Sequence, residues 1–549
     1  MFQRRLDSLF HSVVGACLLF SSPVMADVLL NGRNATPEMI VRVAKGEAVT
    51  VDGESLDKVE RAYAVLLQGA KEGQEIYGLT VGVGWNKDRK MVDATGELTP
   101  ELMEASREFN EGLLRAHSVG VGPDAAVPVV RAAMAVRLNN ILTGGPGVQP
   151  HVAEMLLAFL NKGITPTMPS RGSVGQADMT LLSHIGLAML GEGDVDYQGR
   201  RMSAAEALKA AGIEPLKPFG KDGLAILSSN AYAAGLAALA IHDAEQLLST
   251  SRLVYALSLE GLNGNVSPLL EDVAALRPFP SHLSSTAELR ALLEGSYLWQ
   301  ADDKRILQDP LSFRTAPYLL GSFADSLART KALVEIQINS SDDNPGIVVG
   351  VEPKSDLFQA RRGYVEGGAV LPTANFEPLP WIIAFEELGI VLAHHTTASS
   401  ERVLKLNNPT HTKLARYLGT ENTHHAFLVV EAPLMALATE NRALAQPTSF
   451  DSRPIAGGVE DVGTNAPLVV ERIRAQIDNS FTILSMEMLH AAQAADLRLK
   501  GHPERKLSTA TTSFHDAFRQ RVPFLDRDRS MTPDIAAGTA FLKEYALTN

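Results

Sequence analysis

Apolar residues recur at spacings of three and four along much of the chain, the period of an α-helix that buries one face. Leu236, Leu239, Ala240, Ala244 and Leu247 form one such stripe; others cover 127–142 and 381–393, and one over 427–444 is interrupted by Pro433. The run 231–257 has no proline and only Gly235 as glycine, which predicts one helix of about 40 Å at 1.5 Å per residue. Glycine and proline gather between the stripes, at 143–150, 164–175 and 215–223, and these segments read as loops. The pattern predicts a mainly α protein with an all-helical core. Residues 27–225 form a loop-rich helical part, and residues 226–549 form a long-helix bundle with a C-terminal helical part.

Composition narrows the class. The 549 residues are 45% hydrophobic and 21% charged, with a formal charge of −13, so the chain can bury a large core but offers no basic surface for a phosphate backbone. Nucleic acid is excluded as a partner on that ground. Arg4 and Arg5 precede an apolar run over 13–20 and a small-residue site ending at Ala26, the layout of a secretory signal over residues 1–26. The run is shorter than the roughly 20 residues that a membrane span needs. The expectation is a periplasmic or secreted protein with no stable membrane association after cleavage. Cys17, the only cysteine, lies inside that segment, so the mature chain has no disulfide and no cysteine metal ligand. His394/His395 and His424/His425 are adjacent pairs, which point about 100° apart on a helix, and no metal site is expected.

The uncommon polar groups lie in loops: EIYGLTVGVG (75–84), FNEGLLRAHSVGVG (109–122), SRGSVGQAD (170–178), QDPLSFRTAP (308–317), INSSDDNP (338–345), TANFEP (373–378) and ATENRALAQ (438–446). In this order, and with RVPFLDRDRSMTPDI at 521–535, they resemble the aromatic amino acid ammonia-lyase and aminomutase family over nearly the whole mature chain. The resemblance implies a histidine ammonia-lyase-like fold with a long central helical bundle, a homotetramer with sites assembled from three copies, and an amino acid derivative as the small-molecule partner.

The resemblance also exposes a departure. Family members carry Ala, Ser and Gly after GSVG, and these cyclise and lose water to give a methylidene-imidazolone electrophile. Here Gln176, Ala177 and Asp178 follow: one residue is missing and no hydroxyl stands at the middle position. Ser173 is followed by the bulky Val174 and is a poor substitute. No cofactor is therefore expected, and in that respect the sequence is ergothionase-like. Ser228, Leu311 and Glu377 also replace residues that surround the electrophile in the family.

By the same resemblance, Tyr77 matches the base that removes the β-proton, and Arg314 the arginine that grips the substrate carboxylate through its planar fork. Gln308, Asn339 and Asn344 match polar positions around it; His117 and Glu440 match groups facing the ring. Glu377 adds a carboxylate, so the base is either Tyr77 or Glu377. The expected reaction is loss of an amine, such as trimethylamine, from an aromatic or histidine-type derivative to give an α,β-unsaturated acid. An ammonia-lyase or aminomutase acting on a free amino acid, and a non-catalytic binding protein, stand as alternatives.

Overall fold

The computed structural model describes residues 27–84, 87 and 100–545, and the signal-like residues 1–26 lie outside them. The predicted long helix is present as Ala231–Leu262 and ends at Asn263, which takes the left-handed conformation (φ 63°) common after a helix. It is buried on nearly every side. Its most apolar window is 94% buried inside the protein, so that apolarity serves the core. Gly235 explains how closely the Val127–Ile141 helix crosses it: a Cβ there would sit 2.7 Å from the Ala133 nitrogen.

Ala316–Ile338, Leu379–Leu406 and Ala466–Gly501 complete the bundle. The interruption at Pro433 is a helix start: Glu431–Leu444 places that proline in its first turn, where a missing N–H costs nothing. One continuous core takes residues from both sides of position 225, including Leu182, Leu224 and Leu236.

The reading of 164–175 as plain loop is corrected by two short strands, Ile164–Pro166 and Pro169–Arg171. The second pairs antiparallel with Val121–Asp124, and this brings the segment after His117 against the GSVG segment. Ten short strands in all form four small sheets at the periphery of the described residues.

One buried ion pair ties three of the long helices. Glu487 accepts from Arg402 through both oxygens, at 2.6 and 2.8 Å, and also from Ser258 (2.8 Å) and Ser399 (2.6 Å). All four contacts are buried, so the desolvated carboxylate is fully engaged. The same Arg402 donates at 3.2 Å to the Ser312 carbonyl, while Tyr255 donates at 3.0 Å to the Phe313 carbonyl. Together they seat the short Leu311–Arg314 helix. Arg402→Leu strands the Glu487 carboxylate and is expected to lower the unfolding free energy by about 3–5 kcal/mol, measured by chemical denaturation. A loss under about 1 kcal/mol would show that the pair is not a structural tie.

Candidate active site

The GSVGQAD segment joins the Pro169–Arg171 strand to the Met179–Met189 helix and is pinned at both ends. Ser173 Oγ donates to Asp178 Oδ1 at 2.7 Å and accepts from the Gly175 nitrogen at 3.0 Å. The Val174 carbonyl accepts from Thr464 and Asn465 at 3.0 and 2.8 Å, and the Gly175 carbonyl accepts from Asn230 Nδ2 at 3.0 Å. Gly175 has φ +90°, and a Cβ would lie 2.3 Å from Thr464 Oγ1; only glycine fits so close an approach.

Asp178 anchors the far end. Its Oδ2 accepts from the Ala233 nitrogen at 2.9 Å, in the first turn of the central helix, whose positive end favours a carboxylate. Full burial pushes its pKa up to about 7 against the pull of Ala233 and Ser173.

The residues at 176–178 do not fit the family electrophile. Ring closure requires the third residue's nitrogen to attack the first residue's carbonyl, and dehydration requires a hydroxyl on the middle residue. The Asp178 nitrogen instead donates to the Ser229 carbonyl at 2.6 Å, and the middle residue, Ala177, is held at φ +63° with only a methyl group. Ser173, the nearest hydroxyl, is committed to Asp178.

Gln176 turns its amide elsewhere: Nε2 donates to Glu377 Oε2 at 2.8 Å. The other Glu377 oxygen accepts from the Leu379 nitrogen at 2.9 Å, at the start of the Leu379–Leu406 helix. Tyr77 lies on a loop packed against the Asp222–Leu227 helix, where a Cβ on Gly78 would stand 2.3 Å from Leu224 Cδ2. Its phenol oxygen accepts from the Gly84 nitrogen at 2.7 Å. Burial pushes the phenol pKa up, the Gly84 N–H pulls it down, and the charge of Glu460 pushes it up again.

Glu460 is the residue that sequence reading missed. It is half-buried, burial raises its pKa, and His117 pulls it back, so it stands within electrostatic reach of both Tyr77 and His117. His117 Nδ1 lies 2.8 Å from the Leu113 carbonyl, which places the proton on that nitrogen and leaves Nε2 for a ligand. Glu440, assigned to this place from the sequence, is exposed on the Glu431–Leu444 helix. The signal for Glu460 was slight: a carboxylate in the glycine-rich stretch GGVEDVG, 457–463.

Arg314 and Gln308 are not brought to this cluster within one chain. Arg314 Nη1 donates to Gln308 Oε1 at 3.3 Å, and Arg314 Nε is buried without a partner. The helix that carries Arg314 is seated near Tyr255, 22 residues and about 33 Å along the central helix from Ala233. Asn339 has all four of its hydrogen-bonding capacities used inside the chain. It donates to Ala35 and Glu335 carbonyls, and accepts from the Ala35 nitrogen and Asn139 Nδ2, which leaves nothing free for a ligand. Asn344 Oδ1 accepts from the Thr373 nitrogen at 2.9 Å. Of the histidine pairs, His395 is buried with neither ring nitrogen bonded. Among the described residues no group of His, Cys, Asp or Glu is arranged to hold a metal ion.

The family model described as aromatic amino acid lyase matches residues 35–520. The chain belongs to the aromatic amino acid lyase family. It is 33% identical to histidine ammonia-lyase of Streptococcus gordonii over 91% of this chain and 93% of that one, and 33% identical to that of Chloroflexus aurantiacus over 93% and 95%. Among solved structures, ergothionase from Treponema denticola, in complex with desmethyl-ergothioneine sulfonic acid, is 36% identical over 94% of this chain and 99% of that one, with a TM-score of 0.84. Tyrosine aminomutase from Streptomyces globisporus is 30% identical over 94% and 97%, also with a TM-score of 0.84. Family membership fixes the fold as histidine ammonia-lyase-like and the activity class as carbon–nitrogen lyase.

In this lyase the peptide covering residues 172–184 is expected to carry its full, unmodified mass by mass spectrometry. A deficit of two waters there would show that an electrophile forms in spite of Ala177.

Proposed function

We propose that the protein eliminates a tertiary amine from the quaternary ammonium group of a histidine-type betaine, giving an α,β-unsaturated acid without a self-made electrophile. The observation that carries this reading is the 176–178 segment, where the middle residue has no hydroxyl to lose and the nearest serine is engaged elsewhere. A quaternary ammonium needs no such activation, because it leaves as a neutral amine. The likeness to ergothionase supports the same reading.

The reaction balances on this chain's own groups. Tyr77, as phenolate, takes the β-proton; the C–H electron pair becomes the Cα=Cβ bond; the C–N bond breaks and its pair departs on the amine. Burial holds the phenol protonated in the free chain. The permanent positive charge of the substrate opposes that, since a nearby cation favours phenolate. His117 Nε2 meets the azole ring, and Glu460 and Glu377 supply negative charge for the cation.

Arg314 grips the carboxylate from a second copy. The exposed Leu307 and Leu311 beside it favour a face covered by another subunit, in keeping with a homotetramer. The segment over residues 1–26 favours export to the periplasm or beyond.

The test is incubation of the purified protein with hercynine, ergothioneine, histidine and tyrosine, following the unsaturated acid by absorbance and the released amine chemically. Trimethylamine from a betaine is the expected product. Ammonia from a free amino acid would replace this reading with an ammonia-lyase, and binding without turnover would replace it with a binding protein. Tyr77→Phe is expected to lower kcat by about 10²- to 10⁴-fold, and Arg314→Ala to lower kcat/KM by roughly 30- to 100-fold. Because burial raises the Glu460 pKa, activity is expected to fall with acidity through a limb above the ordinary glutamate value of about 4.3. Glu460→Gln should abolish that limb, and a limb unchanged in the variant would assign it to another group.

A further inference from the structure

Two of the positions where this chain departs from its family touch each other. Gln176 stands where the electrophile would begin, Glu377 stands among the residues that would surround it, and the two are joined at 2.8 Å. Glu377 also accepts from the Leu379 nitrogen at 2.9 Å. Each carboxylate oxygen thus receives one protein N–H, in a half-buried position at the positive end of a 28-residue helix.

Such a carboxylate is fixed in place, with one acceptor site on each oxygen already taken by the protein. That suits one kind of cation better than another. A primary ammonium has three N–H donors that must each find an acceptor when they leave water, and a carboxylate already engaged by the protein serves them poorly. A trialkylated ammonium donates nothing and is held by undirected charge alone, so prior engagement of the oxygens costs it nothing.

The geometry points to the Gln176–Glu377 couple as the element that selects a permanently alkylated α-ammonium over a primary one, with Glu377 facing the cation and Gln176 as its positioning residue. This rests on the elimination proposed above and names the feature that sets its substrate class.

The experiment measures two quantities: turnover of hercynine by the otherwise wild-type protein, and calorimetric affinity for hercynine and histidine in a Tyr77→Phe background, where turnover is suppressed. Gln176→Leu and Glu377→Gln are introduced into both. The expected result is that Glu377→Gln lowers the hercynine-to-histidine affinity ratio by about tenfold and Gln176→Leu by about threefold, with melting temperatures close to the parent. Gln176→Glu, which sets two carboxyl groups against each other, is expected to lower the ratio as well.

An unchanged ratio, with both ligands weakened alike, overturns the selection role while hercynine turnover still upholds the elimination. Absence of hercynine turnover, with histidine processed instead, overturns the elimination itself and this inference with it.

Discussion

Four charges buried at one junction hold the frame on which the site is built. Arg137, on the Val127–Ile141 helix, meets Asp342 at 3.3 Å and Asp343 at 2.5 Å; Lys221 meets Asp343 at 2.5 Å and donates to the Pro146 and Pro345 carbonyls. All four side chains are essentially inaccessible to solvent. Their desolvation is tolerable because each is paired with an opposite charge, and removing one partner would leave a bare charge in the core. The same Asp342 accepts from Ser229 Oγ and the Asn230 nitrogen. Those two residues are the ones that grip the GSVGQAD segment, through the Ser229 and Gly175 carbonyls. The ion cluster therefore sets where the GSVGQAD segment sits, although no member of the cluster belongs to it.

The helical plan was legible because most bundle helices bury one face or nearly all of themselves in aliphatic residues. The Ala231–Leu262 helix is the plain case. The longest helix, Ala466–Gly501, gave no comparable stripe, and the reason is visible in its burial. Gln476, Ser480, Ser485, Glu487 and Gln493 are all buried along it, each answering a polar group on a neighbouring element, such as Glu487 with Arg402, while the buried His490 bonds the Met486 carbonyl of its own helix. Polar residues satisfied in a core erase the periodicity that sequence reading depends on. The short strands were hidden for a different cause: three-residue pairings such as Pro169–Arg171 with Val121–Asp124 are set by what lies opposite, which local pattern does not encode.

The candidate site was read from the sequence where reactive side chains and loop composition coincide. Tyr77 and Gln176 stand in glycine-rich loops, the first packed on the Asp222–Leu227 helix and the second beside a segment held by Asn230 and Ala233 at the start of the central helix, whereas His117 ends the Pro100–His117 helix and not the loop that its segment suggests. Glu460 was not legible, because a carboxylate in a loop is usually solvated and nothing local marks this one as half-buried beside His117. Glu440, read from its motif, stands on the exposed side of the Glu431–Leu444 helix within one chain. Arg314 illustrates a limit of a different kind. Its helix lies about 33 Å along the central helix from Ala233, so one chain does not bring it to Tyr77, a separation that local pattern does not encode.

Asp178 explains how the loop could lose its triplet without losing its place. Its links to Ser173 and Ala233 close the segment from both sides and involve none of the residues at 176 and 177. A shorter, chemically different middle can therefore be fitted between fixed ends. The anchor has a pH dependence of definite sign. Burial raises the folded-state pKa to about 7 against an unfolded value of about 3.9. The contribution of Asp178 is thus most favourable below the unfolded value and is lost progressively as pH rises through about 7. In the ionised form, the central helix's first-turn N–H groups carry the charge, and the Ser173 hydroxyl donates to it. The loop geometry thus depends on a fully buried anchoring carboxylate. For that reason the residues between the anchors, Gln176 above all, can differ from those of the family without displacing the segment.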